Sequence, residues 1–318
     1  MQTYFLWPKC SVLKALWYMY QMKPIVVIEN HLREMFPSGY PVLCSSGRAA
    51  LNLVLTQKGA NRGDFVGVFP FASHCVLDSI SRIATPLCGP TSLEASLRVV
   101  YHQWGFMQEE FLSPNSIEDC VDTLCLPGTK LFPGGGGYEI WSLPKILGTS
   151  SGGVLWCRDK DAADAIKAKR DQRGGGFLGW VMRLLGYQFP STQKYWHGTE
   201  SSIGGVSLLQ TGEILHAIKN WDMVVKDRII KLEMVWPYAV KWLQKPHNRL
   251  PPVVPVECTL TDEEVLECGI STGYRMFERV DKHGGRQLIK TLPIPIHQDI
   301  SLDKFAFMIT QINRSKRV

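Results

Sequence analysis

Short apolar runs alternate with helix-compatible stretches along most of this 318-residue chain, and the changes of period fall at glycine or proline turns. Phe65-Val66-Gly67-Val68-Phe69 is one such run, opened by Arg62-Gly63-Asp64 and closed by Pro70. Apolar residues at 76, 77, 80, 83 and 84 follow with the 3.6-residue period of a helix packed on one face. Strands are predicted again at 98–101, on the approach to Asp119, at 138–143 and at 154–156, with a charged helix from Asp159 to about Gln172. This alternation confines the chain to few folds, because helical crossovers bring successive strands back in the same direction and build a largely parallel sheet. Such sheets bind ligands at the carboxyl ends of their strands.

The fold class read from this pattern is α/β, with a mostly parallel sheet in a large domain over residues 1–205. Residues 206–318 form the second part: a helical stretch to about Gln244 that Pro237 kinks or divides, a connector at 246–255 containing four prolines, and a small C-terminal α+β domain. Strands at 253–256 and 287–296 and a helix at 302–312 make up that domain, and Thr261 with Glu264 has the spacing of a capping box. Upstream, Ser46 is placed to cap a helix over the apolar stretch 49–55, read as the first helix.

Composition narrows the function. A formal charge of +6 with no long basic run argues against nucleic-acid binding and suits an anionic substrate or cofactor. The 9 cysteines are odd in number and contain no C-x-x-C, which favours reduced thiols and a cytoplasmic protein over a disulfide framework or zinc cluster. The segment 1–22 is rich in Leu, Trp and Tyr but is interrupted by Lys9 and Lys14, so it reads as a docking segment and not a membrane span.

The chemistry concentrates between Ser116 and Gly153. Asp119 ends one predicted strand, and Lys145 follows the apolar residues Ile140, Trp141 and Leu143 just after another. A pyridoxal phosphate (PLP) site needs this pairing: the lysine amine takes the cofactor aldehyde, and the carboxylate keeps the pyridine nitrogen protonated so that the ring can draw electrons. A carboxylate–pyridinium pair at ~4 Å would be worth roughly 4 kcal/mol at an effective dielectric of ~20. Burial is expected to lower the pKa of Lys145 toward the range of a nucleophile. Ser46-Gly47-Arg48 offers a phosphate seat of helix-start N–H groups plus a guanidinium. His74 is placed to stack on the cofactor ring, and Asp122 to reach its hydroxyl. Other features read as structure: 134–137 as a mobile glycine turn, Lys167, Lys169, Arg170 and Arg173 as a solvated helix face, and the apolar stretch 177–185 as a partner surface or membrane contact, with burial in a dimer interface the simplest version.

With these residues in place, the sequence resembles the DegT/DnrJ/StrS-type sugar aminotransferases, PLP enzymes of the aspartate aminotransferase fold (fold type I). Ser46-Gly47-Arg48-Ala49-Ala50-Leu51 resembles the family's phosphate-binding Gly-Thr segment, with Arg48 in place of Thr; Ile117-Glu118-Asp119 is similar to its Ile-Glu-Asp. Lys145 stands seven and eight residues before Gly152-Gly153, as the family's lysine does, and Leu292-Pro293-Ile294-Pro295-Ile296-His297 resembles its C-terminal motif. The likeness runs from about Val42 to the end. It implies a glutamate amino donor, a nucleotide-linked keto-sugar acceptor, a homodimer with sites at the subunit boundary, and Lys145 as carrier of the proton between substrate carbon and cofactor. The family's serine five residues before the lysine is Ile140 here, which leaves Ser142 as its nearest substitute. Gly198-Thr199-Glu200-Ser201-Ser202 stands where the family has Gly-x-Asn-x-Arg. Two alternatives stay open: a PLP-binding relative without turnover that serves regulation or assembly, and a sugar dehydratase, against which Lys145 argues because that branch resembles a version with His at this position.

Overall fold

In chain order the first eight strands are β1 (Tyr40–Cys44), β2 (Phe65–Phe69), β3 (Thr85–Cys88), β4 (Leu97–Tyr101), β5 (Ser116–Asp119), β6 (Leu124–Cys125), β7 (Tyr138–Ser142) and β8 (Gly153–Cys157). All but β6 join one sheet in the order β1-β8-β7-β5-β4-β2-β3. The pairs β2–β3, β2–β4, β4–β5 and β5–β7 are parallel, as the alternation predicts, while β8 runs antiparallel between β1 and β7. The structure is a computed structural model that describes residues 3–69, 73–88, 95–107, 113, 115–189, 204–280 and 286–315; Pro70 and the segment 198–202 lie outside these.

The helices are α1 (Val12–Tyr18), α2 (Ile25–Met35), α3 (Gly47–Gln57), α4 (His74–Ser81), α5 (Leu143–Leu147), α6 (Lys160–Gln172), α7 (Phe177–Gln188), α8 (Leu208–Lys219), α9 (Trp221–Val235), α10 (Asp262–Glu267) and α11 (Leu302–Ser315). Four more strands, β9 (Arg249–Leu250), β10 (Val253–Val256), β11 (Arg275–Val280) and β12 (Arg286–Pro295), complete the chain; β10, β12 and β11 form a second, antiparallel sheet. Ser46 caps α3 by accepting from the Ala49 N–H at 3.1 Å, and residues 49–55 are buried throughout, so α3 is a central helix apolar on all sides. Thr261 and Glu264 cap α10 reciprocally.

The structure corrects several expectations. α1 and α2 precede Ser46, so α3 is the third helix. The helical stretch after Val206 is two helices, because Asn220 leaves helical geometry and turns its N–H back onto the His216 and Ala217 carbonyls; α9 then ends before Pro237. The glycine turn at 134–137 is fastened: Gly134 and Gly136 N–H groups each donate to the buried Glu118 carboxylate at 2.7 Å, and a Cβ on Gly136 would fall 2.7 Å from the Ser116 carbonyl oxygen. The basic residues of α6 and its end turn inward as well. Arg170 and Lys167 pair with the buried Glu29 of α2 at 2.5 and 3.2 Å, Arg173 reaches Asn52, and Lys169 reaches the Thr56 carbonyl. Glu29 also accepts from the Leu43 N–H, so one carboxylate ties α2, α6 and β1 together.

The main core lies between the first sheet and α2, α8, α9 and α11. Phe36, Trp141, Trp156 and Trp221 pack at its centre with ring centroids 5.0–5.7 Å apart, mostly edge to face. Behind β7, Glu139 accepts from the Phe132 N–H, the Trp141 indole and both guanidinium nitrogens of Arg249 at 2.8 and 3.0 Å. Burial alone would raise this carboxyl; Arg249 and the other donors hold it below its usual range. Among the described residues no helix is long and apolar enough to cross a membrane.

Candidate active site

The carboxyl edge of the first sheet opens into a cavity of about 930 Å³. It receives Ser46, Gly47 and Arg48 at the start of α3, His74 at the start of α4, Asp119 at the end of β5, Ser142 at the end of β7, and Lys145 from α5. Residues from the start of α3 to α5, most of the sheet's length in sequence, thus share one space. Asp122 lies just beneath, fully buried, and its Oδ1 is 3.1 Å from Lys145 Nζ.

Register explains the shape of the edge. Gly153 opens β8 between Cys44 of β1 and Ser142 of β7, and a Cβ there would fall 2.4 Å from the Ser46 carbonyl carbon. Glycine lets the turn that leads into α3 lie directly on β8. Gly47 likewise faces Val121 and Ile140, which a Cβ would approach to 3.2 and 3.4 Å. Lys145 stands between the buried strands β7 and β8, as its apolar flanks suggest. It sits in the five-residue helix α5, which Gly148 ends at φ 74°.

The electrostatics of this edge are dominated by burial. Burial pushes the Asp119 carboxyl up to about 7, only partly offset by Lys145, while Asp122 pushes it further in the same direction. Lys145 departs from expectation. Burial does act to lower its pKa, but Asp122, Asp119 and Cys75 outweigh it, and the amine is held above its ordinary value. The lysine is therefore an ammonium at neutral pH. Arg48 is lowered by burial, against the pull of Cys75 and Asp78.

Sequence reasoning missed Trp7, Tyr101 and Trp104, all on the cavity wall. Tyr101 is the last residue of β4, and strand ends at this edge are the signal that marks it. Its hydroxyl donates to Asp122 Oδ2 at 2.6 Å. The Trp7 indole donates to Asp122 Oδ1 at 2.8 Å, and its ring centre lies 4.3 Å from Lys145 Nζ. No local pattern could have announced Trp7. Trp104 holds φ 51°, uncommon for a side chain of that size, and its N–H donates to the Tyr101 hydroxyl at 3.4 Å.

A mostly parallel sheet carrying, at one edge, a lysine, a deeply buried carboxyl and a capped helix start has the make-up of a PLP-dependent transferase. Residues 28–312 match the model of a family described as "Putative PLP-dependent aminotransferase", and the chain belongs to that family. It is a PLP-dependent aminotransferase. No curated protein matches it. Among solved structures it is similar to a DegT DnrJ EryC1 StrS aminotransferase from Brucella abortus, with 14% identity, 95% of each chain covered and a TM-score of 0.63. The aminotransferase TlmJ from Streptoalloteichus hindustanus is 16% identical over 100% of this chain and 99% of its own, also at 0.63. The sugar aminotransferase CalS13 from Micromonospora echinospora is 14% identical, with 96% and 98% covered and a TM-score of 0.62.

The residues present fit the cofactor. The cavity has room for it, the start of α3 opens into it at Gly47, and the buried carboxyl and the lysine face the same space.

Proposed function

We propose that this enzyme passes an amino group from L-glutamate to a keto-sugar carried on a nucleotide, in polysaccharide or secondary-metabolite synthesis, as a cytoplasmic homodimer. The observation that carries this reading is the convergence of Lys145, Asp119 and the α3 start on one cavity of about 930 Å³, larger than a cofactor alone requires. The sugar is suggested by the similarity to CalS13, a sugar aminotransferase.

When bound, PLP supplies an aldehyde and an electron-withdrawing ring. The rest belongs to the chain. The first N–H groups of α3 and the Arg48 guanidinium hold the phosphate, with the helix dipole favouring the anion. Asp119, poised near neutrality by burial, shares a proton with the ring nitrogen and keeps it there. His74 and Ser142, both on the cavity wall, would stack on the ring and help to hold the phosphate, respectively. Lys145 must shed a proton from Nζ to act, then takes and returns protons at the substrate carbon. Asp122 is the carboxylate in contact with that nitrogen.

Purified protein should absorb visible light with PLP, lose that band on adding L-glutamate, and then aminate one of a panel of nucleotide-linked keto-sugars, read as a mass change. Retention of the band in glutamate would overturn the donor, and an unchanged panel would overturn the acceptor.

A further inference from the structure

The first 27 residues precede the stretch that the family model matches, yet they furnish part of the cavity wall. The strap from Tyr4 to Lys9 is pinned on both sides of Trp7. Tyr4 N–H donates to the Gly269 carbonyl at 2.7 Å, its carbonyl accepts from Ser271, the Phe5 carbonyl meets His297 Nε2 at 3.0 Å, and Lys9 N–H donates to Asp299 at 2.6 Å. Between these anchors Leu6 packs with Trp104 and Phe277, and Trp7 crosses Lys145. The segment does dock, as its composition suggests, but onto its own chain.

Asp122 gives this crossing a consequence. An ionised carboxylate only accepts hydrogen bonds, and a fully buried one is held by whatever donors surround it. Among the described residues there are three, from three places in the sequence: the Trp7 indole, the Tyr101 hydroxyl and Lys145 Nζ. The Tyr101 hydroxyl is in turn fixed by the Trp104 N–H, whose backbone occupies the left-handed region, a conformation that persists only where surrounding contacts impose it. Asp119 at the end of β5 and Cys75 in α4 also act on the charge of Lys145, and Arg48, His74 and Asp78 share its cavity. Behind α5, the buried Arg228 of α9 donates to the Ile146 carbonyl at 3.0 Å.

We propose that Trp7 is a positioning residue of this active site: with Tyr101 it holds the Asp122 carboxylate against Lys145, so that Asp122 receives the proton the amine must shed before it joins the cofactor aldehyde. The inference rests on Lys145 being the cofactor lysine. In that joining the lysine nitrogen bonds to the aldehyde carbon, the carbonyl oxygen leaves as water with the two remaining amine hydrogens, and nothing is oxidised or reduced.

Two ligands separate positioning of the lysine from integrity of the site. Pyridoxal 5′-phosphate needs the amine, whereas pyridoxamine 5′-phosphate uses the same seat but cannot join it. In cofactor-free protein, W7F and Y101F should each slow capture of pyridoxal phosphate, followed by absorbance, by about tenfold, the loss of one charge-assisted hydrogen bond. Their affinity for pyridoxamine phosphate, followed by fluorescence, should stay within about twofold of wild type. Capture by W7F at the wild-type rate overturns the proposal, and so does an equal loss for both ligands, which would make Trp7 merely structural. A wild-type protein that captures no pyridoxal phosphate overturns the cofactor-lysine reading itself, and this proposal with it.

Discussion

Asp119 carries a carboxyl almost sealed from water at the end of β5, raised to about 7 by burial. Its unfolded-state pKa lies near 3.9, so between these values the folded protein binds the extra proton. By linkage, the stability contributed by the neutral form is fully present below about pH 4 and is lost as pH rises through about 7. Asp119→Asn in cofactor-free protein should therefore gain up to about 4 kcal/mol at pH 8 and almost nothing at pH 4, measured by urea unfolding at each pH. The same variant is expected to lose most of its transamination rate, because an amide cannot hold the ring nitrogen protonated. At Lys145 the two carboxylates overcome desolvation and keep the amine charged. Lys145→Ala should abolish both the visible band with PLP and turnover, while Lys145→Arg keeps the charge beside Asp122 and is equally inactive.

At the scale of elements, the site depends on how closely β8 passes the turn into α3. A methyl on residue 153 would overlap the Ser46 carbonyl carbon at 2.4 Å and the Gly47 nitrogen at 2.6 Å, and neither is the end of a flexible side chain. Gly153→Ala should cost roughly 1–3 kcal/mol in stability and weaken PLP binding by at least about tenfold, since it displaces the N–H groups that receive the phosphate. Thermal melting and a PLP titration check the two effects together. On the opposite face of β7, Glu139 holds the Phe132 turn and the β9 arginine at once. Glu139→Gln leaves Arg249 without its counter-ion, 7% exposed, and is expected to destabilise by about 3–5 kcal/mol in denaturant titration.

Across the whole molecule, α1 and α7 meet through Ala15, Trp180 and Leu184 yet leave large apolar side chains in water, among them Leu13, Leu16 and Trp17 on one side and Phe177 and Leu178 on the other. Such a surface supports the proposed homodimer. Light scattering should give about twice the 35.9 kDa chain mass, and Trp17→Glu combined with Leu178→Glu should return it to that of one chain.

Local signals in the sequence account for the parallel strands around Phe65, Val99 and Asp119, the Ser46 cap, the Thr261–Glu264 box and the arrival of Asp119 and Lys145 at one sheet edge. Each of these is written in local period, capping chemistry or residue type near a strand end. Tertiary structure alone decided the rest. That α6 turns its basic residues onto Glu29, that Glu118 ties down the glycine turn, and that Trp7 comes to lie on Lys145 all depend on partners tens to hundreds of residues away. The charge on Lys145 belongs with these, because it is set by how near the folded chain brings Asp122, and distance through space leaves no trace in neighbouring residues.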